Sequence, residues 1–272
     1  MNFITILLHH EFLLNALLGS LLASIACGIV GPFVVVRRMS SIAGGIAHAI
    51  LGGMGVAFFF QLSPYVGAIA AALLVALILG LVSLKVAHYE DVMINALWAI
   101  GMAVGIIFLS KTSGYSDLMS YLFGNVLMIP STSLIWMGGV TAIIGLFIAL
   151  FYKEFVALSF DMEFAYVRGI PTTFFYLFLL CMVALIVVLL IQVVGLILVI
   201  ALLTLPAAIS RHGATSVAKM IFASSLYGSF FSILGILLSF YANLPTGPTI
   251  ILIAALCFIL FFPWKKEMKL SD

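Results

Sequence analysis

His48 is the residue of this chain whose type and setting most clearly invite chemistry. It lies in the stretch 39–53 (MSSIAGGIAHAILGG), apolar and lined with glycine, just after the Arg37-Arg38 pair. Nine residues separate Met39 from His48. At about 1.5 Å per residue that is roughly 13 Å of helix, near the middle of a hydrocarbon layer about 30 Å thick. A titratable side chain at that depth is costly, and its default reading is a place on a solute or ion path. Imidazole suits Zn²⁺, Fe²⁺ and neighbouring metals, and neutral histidine is the strong ligand that costs least to keep in a low dielectric. Gly44, Gly45, Gly52 and Gly55 lie three, four or seven residues from it. That puts them on or beside its face, where small residues let another helix approach closely. The competing reading is a structural histidine that hydrogen-bonds a carbonyl and binds nothing.

Other candidates carry less. His9, His10 and Glu11 cluster before the first apolar run, as metal collectors at an entrance or as plain interfacial residues. Asp117 and Met119 sit in a short apolar segment, and Asp117 has surface pairing with Lys111 as its alternative. Met54 and Met119 are soft potential ligands, though methionines in such a chain are mostly packing residues. Glu90-Asp91 reads as the solvated start of a helix. There is no P-loop motif, no HExxH, no GxSxG and no carboxylate pair inside an apolar run, so neither nucleotide binding by a P-loop nor intramembrane catalysis has support.

The composition says what must position His48. Hydrophobic residues make up 65% and charged residues 7%, and mean hydropathy is +1.38, against about 25% charge in a soluble domain. The expectation is an all-α polytopic transmembrane bundle, with residues 1–272 forming one domain almost wholly within the bilayer. A net charge of +2 gives no reason to expect a nucleic-acid partner. Cys27, Cys181 and Cys257 lie in apolar runs with no CxxC spacing, and read as small core hydrophobes. The N-terminus lacks the basic flank of a cleavable signal peptide.

Apolar runs predict about nine spans, with eight possible: 12–36, 40–60, 64–88, 92–110, 132–152, 171–192, 194–210, 217–242 and 247–264. The run 194–210 is short and holds Pro206, and 117–129 is too short to cross. Alternating these spans puts ten of the eleven Lys and Arg on one face and Lys111 alone on the other. By the positive-inside rule the N-terminus is then extracytoplasmic and the C-terminus cytoplasmic. The longest cytoplasmic connection, about 153–170, has Phe155, Leu158, Met162 and Ala165 at helical spacing, which predicts a short interfacial helix. Gly169 and Pro171 then mark a tight turn and the next span. Lying on lipid is the simple alternative for such a helix.

Four blocks together carry a family resemblance: residues 31–53 (GPFVVVRRMSSIAGGIAHAILGG), 117–125 (DLMSYLFGN), 163–171 (EFAYVRGIP) and 192–208 (QVVGLILVIALLTLPAA), with 244–251 (LPTGPTII) agreeing. Over nearly its whole length the chain resembles the membrane permease subunit of zinc/manganese/iron-uptake ABC transporters. The resemblance implies a type II-importer-like permease, itself no enzyme and with no permanent cofactor. Its partners would be a second copy of itself, two cytoplasmic ABC ATPase subunits, an extracytoplasmic metal-binding protein and membrane lipid, in the inner membrane of a bacterium. It implies that Glu163, Ala165, Arg168 and Gly169 lie in the helix that couples to the ATPase, and that His48 passes the metal. The chain departs from the family where many members carry an aspartate four residues before this histidine: here that residue is Gly44. Losing a carboxylate disfavours hard Mn²⁺. The cargo expected is zinc first, then manganese or iron. The rival reading is a secondary transporter or channel for a small cation. It is opposed by the lack of a relay of ionisable residues within the spans.

Overall fold

The computed structural model describes residues 11–112 and 129–261, apart from the side chains of Gln192 and Val193. His9, His10, Asp117 and Met119 lie outside the described residues, as does most of the 117–129 segment. Among the described residues the secondary structure is entirely helical. The helices are α1 (Glu11–Val36), α2 (Ser40–Phe59), α3 (Pro64–Lys85), α4 (Glu90–Ser110), α5 (Ser131–Leu150), α6 (Tyr152–Phe160), α7 (Met162–Val167), α8 (Thr172–Val194), α9 (Leu196–Arg211), α10 (Val217–Ala242) and α11 (Thr246–Phe261). Each of the nine apolar runs is a helix. Seven of them (α1, α2, α3, α4, α5, α8 and α10) are long and apolar enough to cross a membrane. The other two, α9 and α11, have 16 residues each, about 24 Å at the helical rise.

The breaks between helices have local causes. Arg38 takes a φ of 57°, and the backbone N–H groups of Met39 and Arg38 donate to the carbonyls of Val34 and Val35, the paired bonds that close a helix C-terminus. Pro64 opens α3 at a position where its missing N–H costs nothing. Only Gly195 separates α8 from α9, with φ 82° and ψ 158°, a conformation open essentially to glycine alone. The chain therefore reverses there with almost no loop.

α2 is the most enclosed element of the N-terminal half, packed between α3 and α4. Glycine makes that packing close. A Cβ at Gly52 would sit 2.8 Å from the Gly101 carbonyl oxygen, one at Gly55 2.6 Å from that of Gly105, and one at Gly53 would collide with the Gly67 carbonyl. On the other side of the bundle α1 packs along α10, where the Ser24 and Ser232 hydroxyls share a buried 3.0 Å hydrogen bond.

Polar contacts gather the basic residues at one end. Arg37 donates to the Leu158 carbonyl at 2.7 Å, and its guanidinium lies 5.0 Å from the centre of the Tyr176 ring. Tyr176 donates to the Ser83 hydroxyl at 2.9 Å, and the Ala218 N–H donates to the Tyr152 hydroxyl at 2.9 Å. Arg37, Lys85, Lys153 and Lys219 therefore share one end of the bundle. At the other end Asn15 donates to the Ile129 carbonyl and the Ser131 hydroxyl.

The connection after α5 corrects the expected single helix. It is two short helices, α6 and α7, broken at Asp161. That residue is extended (φ −150°, ψ 108°) and caps α7, its carboxylate accepting from the Phe164 N–H at 2.9 Å. An aspartate that can satisfy an orphan amide at a new helix start outcompetes continuation of the old one.

Candidate functional site

Along the first half of α2, Ile42, Ala43, Gly45, Ile46, Ala47 and Ala49 are closed off by neighbours, while Ser41, Gly44 and His48 are not. Spaced three and four apart, these three form one stripe along the helix, the opening in that half of α2 beyond its exposed first residue, Ser40. His48 is half-buried, and its Nδ1 is buried with no hydrogen-bond partner. Leaving a buried polar atom unpaired costs about 1–3 kcal/mol, so such an atom asks for an explanation. The structural alternative, a histidine held by a carbonyl, would need a partner at a ring nitrogen, and the buried Nδ1 finds none among the described residues.

His48 is held by an aromatic ring instead. Its imidazole stacks on the indole of Trp98 in α4, with ring centroids 4.5 Å apart and planes 27° from parallel. One turn further along α4, Met102 Sδ accepts the indole N–H at 2.9 Å. Trp98 and Met102 did not emerge from the sequence. Their four-residue spacing was visible, but nothing in it said that this face of α4 meets His48. Among the described residues His48 is the only His, Asp, Glu, Lys or Arg within the middle of a helix of spanning length. No group of three or more His, Cys, Asp or Glu there could hold a metal ion. The arrangement offers one imidazole with polarizable neighbours. It can pass a cation along but does not enclose one.

The four glycines divide. Gly45, Gly52 and Gly55 face α4 of the same chain, a Cβ at Gly45 meeting Ile94 at 2.9 Å. At Gly44 a Cβ would meet nothing within 4 Å. Met54 is 2% exposed and sits about a third of a turn round α2 from His48, so it belongs to the core.

In the α6–α7 segment the apolar stripe turns inward: Phe155, Leu158 and Ala165 are fully buried and Met162 is partly so. Phe155 meets Phe33 and Phe175 edge-on. The stripe is covered by protein and is not left for lipid. The outer face of α7 is different. Glu163 and Arg168 are exposed, as are Phe164, Tyr166 at 71% and Val167 at 84%. Arg168 lies 4.9 Å over the Phe164 ring. Gly169 closes α7 at φ 81°, with its N–H on the Tyr166 carbonyl and the Ile170 N–H on that of Ala165.

A polytopic helical bundle with one intramembrane histidine and a folded, partly apolar segment at its basic end has the architecture of a membrane permease. Residues 9–265 match the ABC 3 transport family, and the chain belongs to that family. It is 42% identical over 260 residues to an uncharacterized membrane protein of Synechocystis, covering 95% of this chain and 92% of that one. It is 35% identical over 271 residues to the manganese transport system membrane protein MntC of Listeria monocytogenes, covering 99% and 96%. In three dimensions it is similar to PsaBC from Streptococcus pneumoniae in complex with Fab, with a TM-score of 0.86 at 35% identity over 96% of this chain and 94% of that one. The chain is thus a permease subunit of a metal-transporting ABC importer and not an enzyme: ATP hydrolysis belongs to a separate subunit.

Proposed function

We propose that this chain, as two copies, forms the transmembrane path of an importer that moves a divalent first-row cation, zinc in preference to manganese, past His48 into the cytoplasm. The observation that carries the reading is the His48 imidazole on an open stripe in the first half of a largely enclosed helix, with a buried nitrogen that no described protein group satisfies. The stripe faces out of the protomer, where a second copy would bring another His48 towards a shared axis. A relative 35% identical is named for manganese. Zinc is preferred here on donor chemistry: imidazole without a carboxylate one turn away suits Zn²⁺ better than Mn²⁺. One weak site per protomer also lets the ion leave.

On this reading the basic end is cytoplasmic, and the exposed face of α7, with Glu163, Arg168 and its apolar neighbours, docks on an ABC ATPase. The N-terminus and the Asn15 end face the extracytoplasmic protein that delivers the metal. Buried Ala165 and the Gly169 turn fix α7 on the bundle, so movement of the ATPases reaches α8 through Pro171.

The test is radiolabelled zinc uptake in cells lacking their own zinc importers, with the chain expressed beside its ATPase and binding protein. His48→Gln keeps volume and hydrogen bonding but replaces a strong ligand by a poor one. Both His48→Gln and His48→Ala should assemble normally and lose most uptake. Near-normal uptake by His48→Gln would return His48 to a structural role.

A further inference from the structure

We propose that Trp98 and Met102 of α4 are the second wall of the His48 passage, Trp98 positioning the imidazole and Met102 supplying a thioether that favours soft and borderline divalent cations over hard ones. The inference deepens the metal-permease reading and rests on it.

A metal-passing histidine normally has its second ring nitrogen held by a carboxylate or carbonyl, which fixes the ring and its tautomer. His48 Nδ1 has no such partner. What fixes the ring is the 4.5 Å stack on Trp98. The indole is fixed in turn by its N–H bond to Met102 Sδ and by close packing of the turn between them, since a Cβ at Gly101 would lie 2.5 Å from the Ala49 Cα. His48, Trp98 and Met102 are therefore one assembly across the α2–α4 seam. When the imidazole carries a metal its ring becomes partly cationic, and an aromatic face beside it is then favourable. Trp98 is 41% exposed and Met102 only partly buried, so the assembly borders the open stripe and is not sealed in the core. The sulfur keeps a lone pair beyond the one that accepts the indole N–H, and thioether is a soft donor. Beside Gly44, which offers no carboxylate, the donors along this passage are imidazole and thioether. That set selects Zn²⁺ and Cd²⁺ and gives Mn²⁺ little.

The experiment is uptake of labelled zinc and manganese by the complete transporter in metal-starved cells, with Cd²⁺ as competitor. In the unmodified chain Cd²⁺ should compete with zinc at least as well as unlabelled zinc does. Met102→Leu conserves volume and should lower the Zn:Mn uptake ratio and the potency of Cd²⁺, each by about ten-fold, the equivalent of one weak metal contact. Trp98→Ala should raise the KM for zinc more than it lowers the maximal rate, and Trp98→Phe, which keeps the stack, should restore most of the loss. Weak Cd²⁺ competition in the unmodified chain, or an unchanged Zn:Mn ratio and Cd²⁺ potency in Met102→Leu, overturns the proposal. If the unmodified chain carries no metal at all, the permease reading itself fails. If His48→Gln abolishes uptake while Met102→Leu changes nothing, only this inference fails.

Discussion

Replacing Gly169 with valine should uncouple ATP hydrolysis from uptake while leaving the permease folded. Gly169 has φ 81°, and a Cβ built on it meets nothing within 4 Å, so no steric clash contributes and the whole cost is conformational. Holding an L-residue there costs about 1–2 kcal/mol, with β-branched valine at the upper end. The turn returns two backbone hydrogen bonds, Ile170 to Ala165 at 3.1 Å and Gly169 to Tyr166 at 2.9 Å, each worth about 1 kcal/mol net. The balance is close to even, so valine should open the turn in a large share of molecules and release α7 from its seat. Against a total stability of about 5–15 kcal/mol, the same cost leaves the bundle intact. Asparagine tolerates this region better than other non-glycine residues. The expected order of uptake per ATP hydrolysed, at matched protein levels, is therefore Gly, then Asn, then Ala, then Val. The assay is metal uptake and ATP turnover in proteoliposomes holding the whole complex. A valine variant with normal uptake per ATP would refute the argument, and so would an asparagine variant as damaged as valine, because the cost would then not be one of φ.

Two further outcomes are expected. In a background whose three free cysteines are replaced, Lys111→Cys and Leu244→Cys should react with an impermeant maleimide in intact cells, and Lys85→Cys and Lys219→Cys only after permeabilisation; labelling of Lys219→Cys from outside would remove the nine-span topology. Gly44→Asp should raise the Mn:Zn uptake ratio by about ten-fold, one modest metal–carboxylate contact, while Gly44→Asn should not; equal behaviour of the two would make the effect one of size, not of charge.

Much of the architecture was legible because lipid leaves the backbone few choices. Apolar runs had to be helices, and Pro64, Pro171 and Gly169 mark real boundaries. Of the basic residues that alternation placed on one face, Arg37, Lys85, Lys153 and Lys219 are drawn to one end by the contacts of Arg37, Tyr176 and Tyr152. The stripe of Phe155, Leu158, Met162 and Ala165 was legible as a stripe but not as to what covers it. An apolar face satisfies lipid and protein equally, and only the fold brings Phe33 and Phe175 against it. The break at Asp161 was hidden because helical spacing continues across it from Leu158 to Met162 and Ala165, while the cap that ends α6 depends on one local hydrogen bond. Trp98 and Met102 were beyond reach for a different reason. Their role comes from the register of α4 on α2, which is set by Gly52 on Gly101 and Gly55 on Gly105. A glycine in a sequence announces a close approach without naming the helix that makes it.

That register also bears on why the residue one turn before His48 has no side chain. Glycine inside a helix costs about 1 kcal/mol relative to alanine. At Gly52 and Gly55 the cost is offset by backbone contact with α4 that no other residue would permit. At Gly44 no atom of the described residues lies within 4 Å of a would-be Cβ, so packing among them offsets nothing. Alanine would fit there on this chain's own described atoms. Any steric demand for glycine at this position would lie beyond the protomer, on the open stripe shared with His48. On the proposed reading, the approach of a second copy of α2 and the passage of a cation would both act at that place. The steric demand and the missing carboxylate are two consequences of one residue, and the comparison of Gly44→Asp with Gly44→Asn separates them.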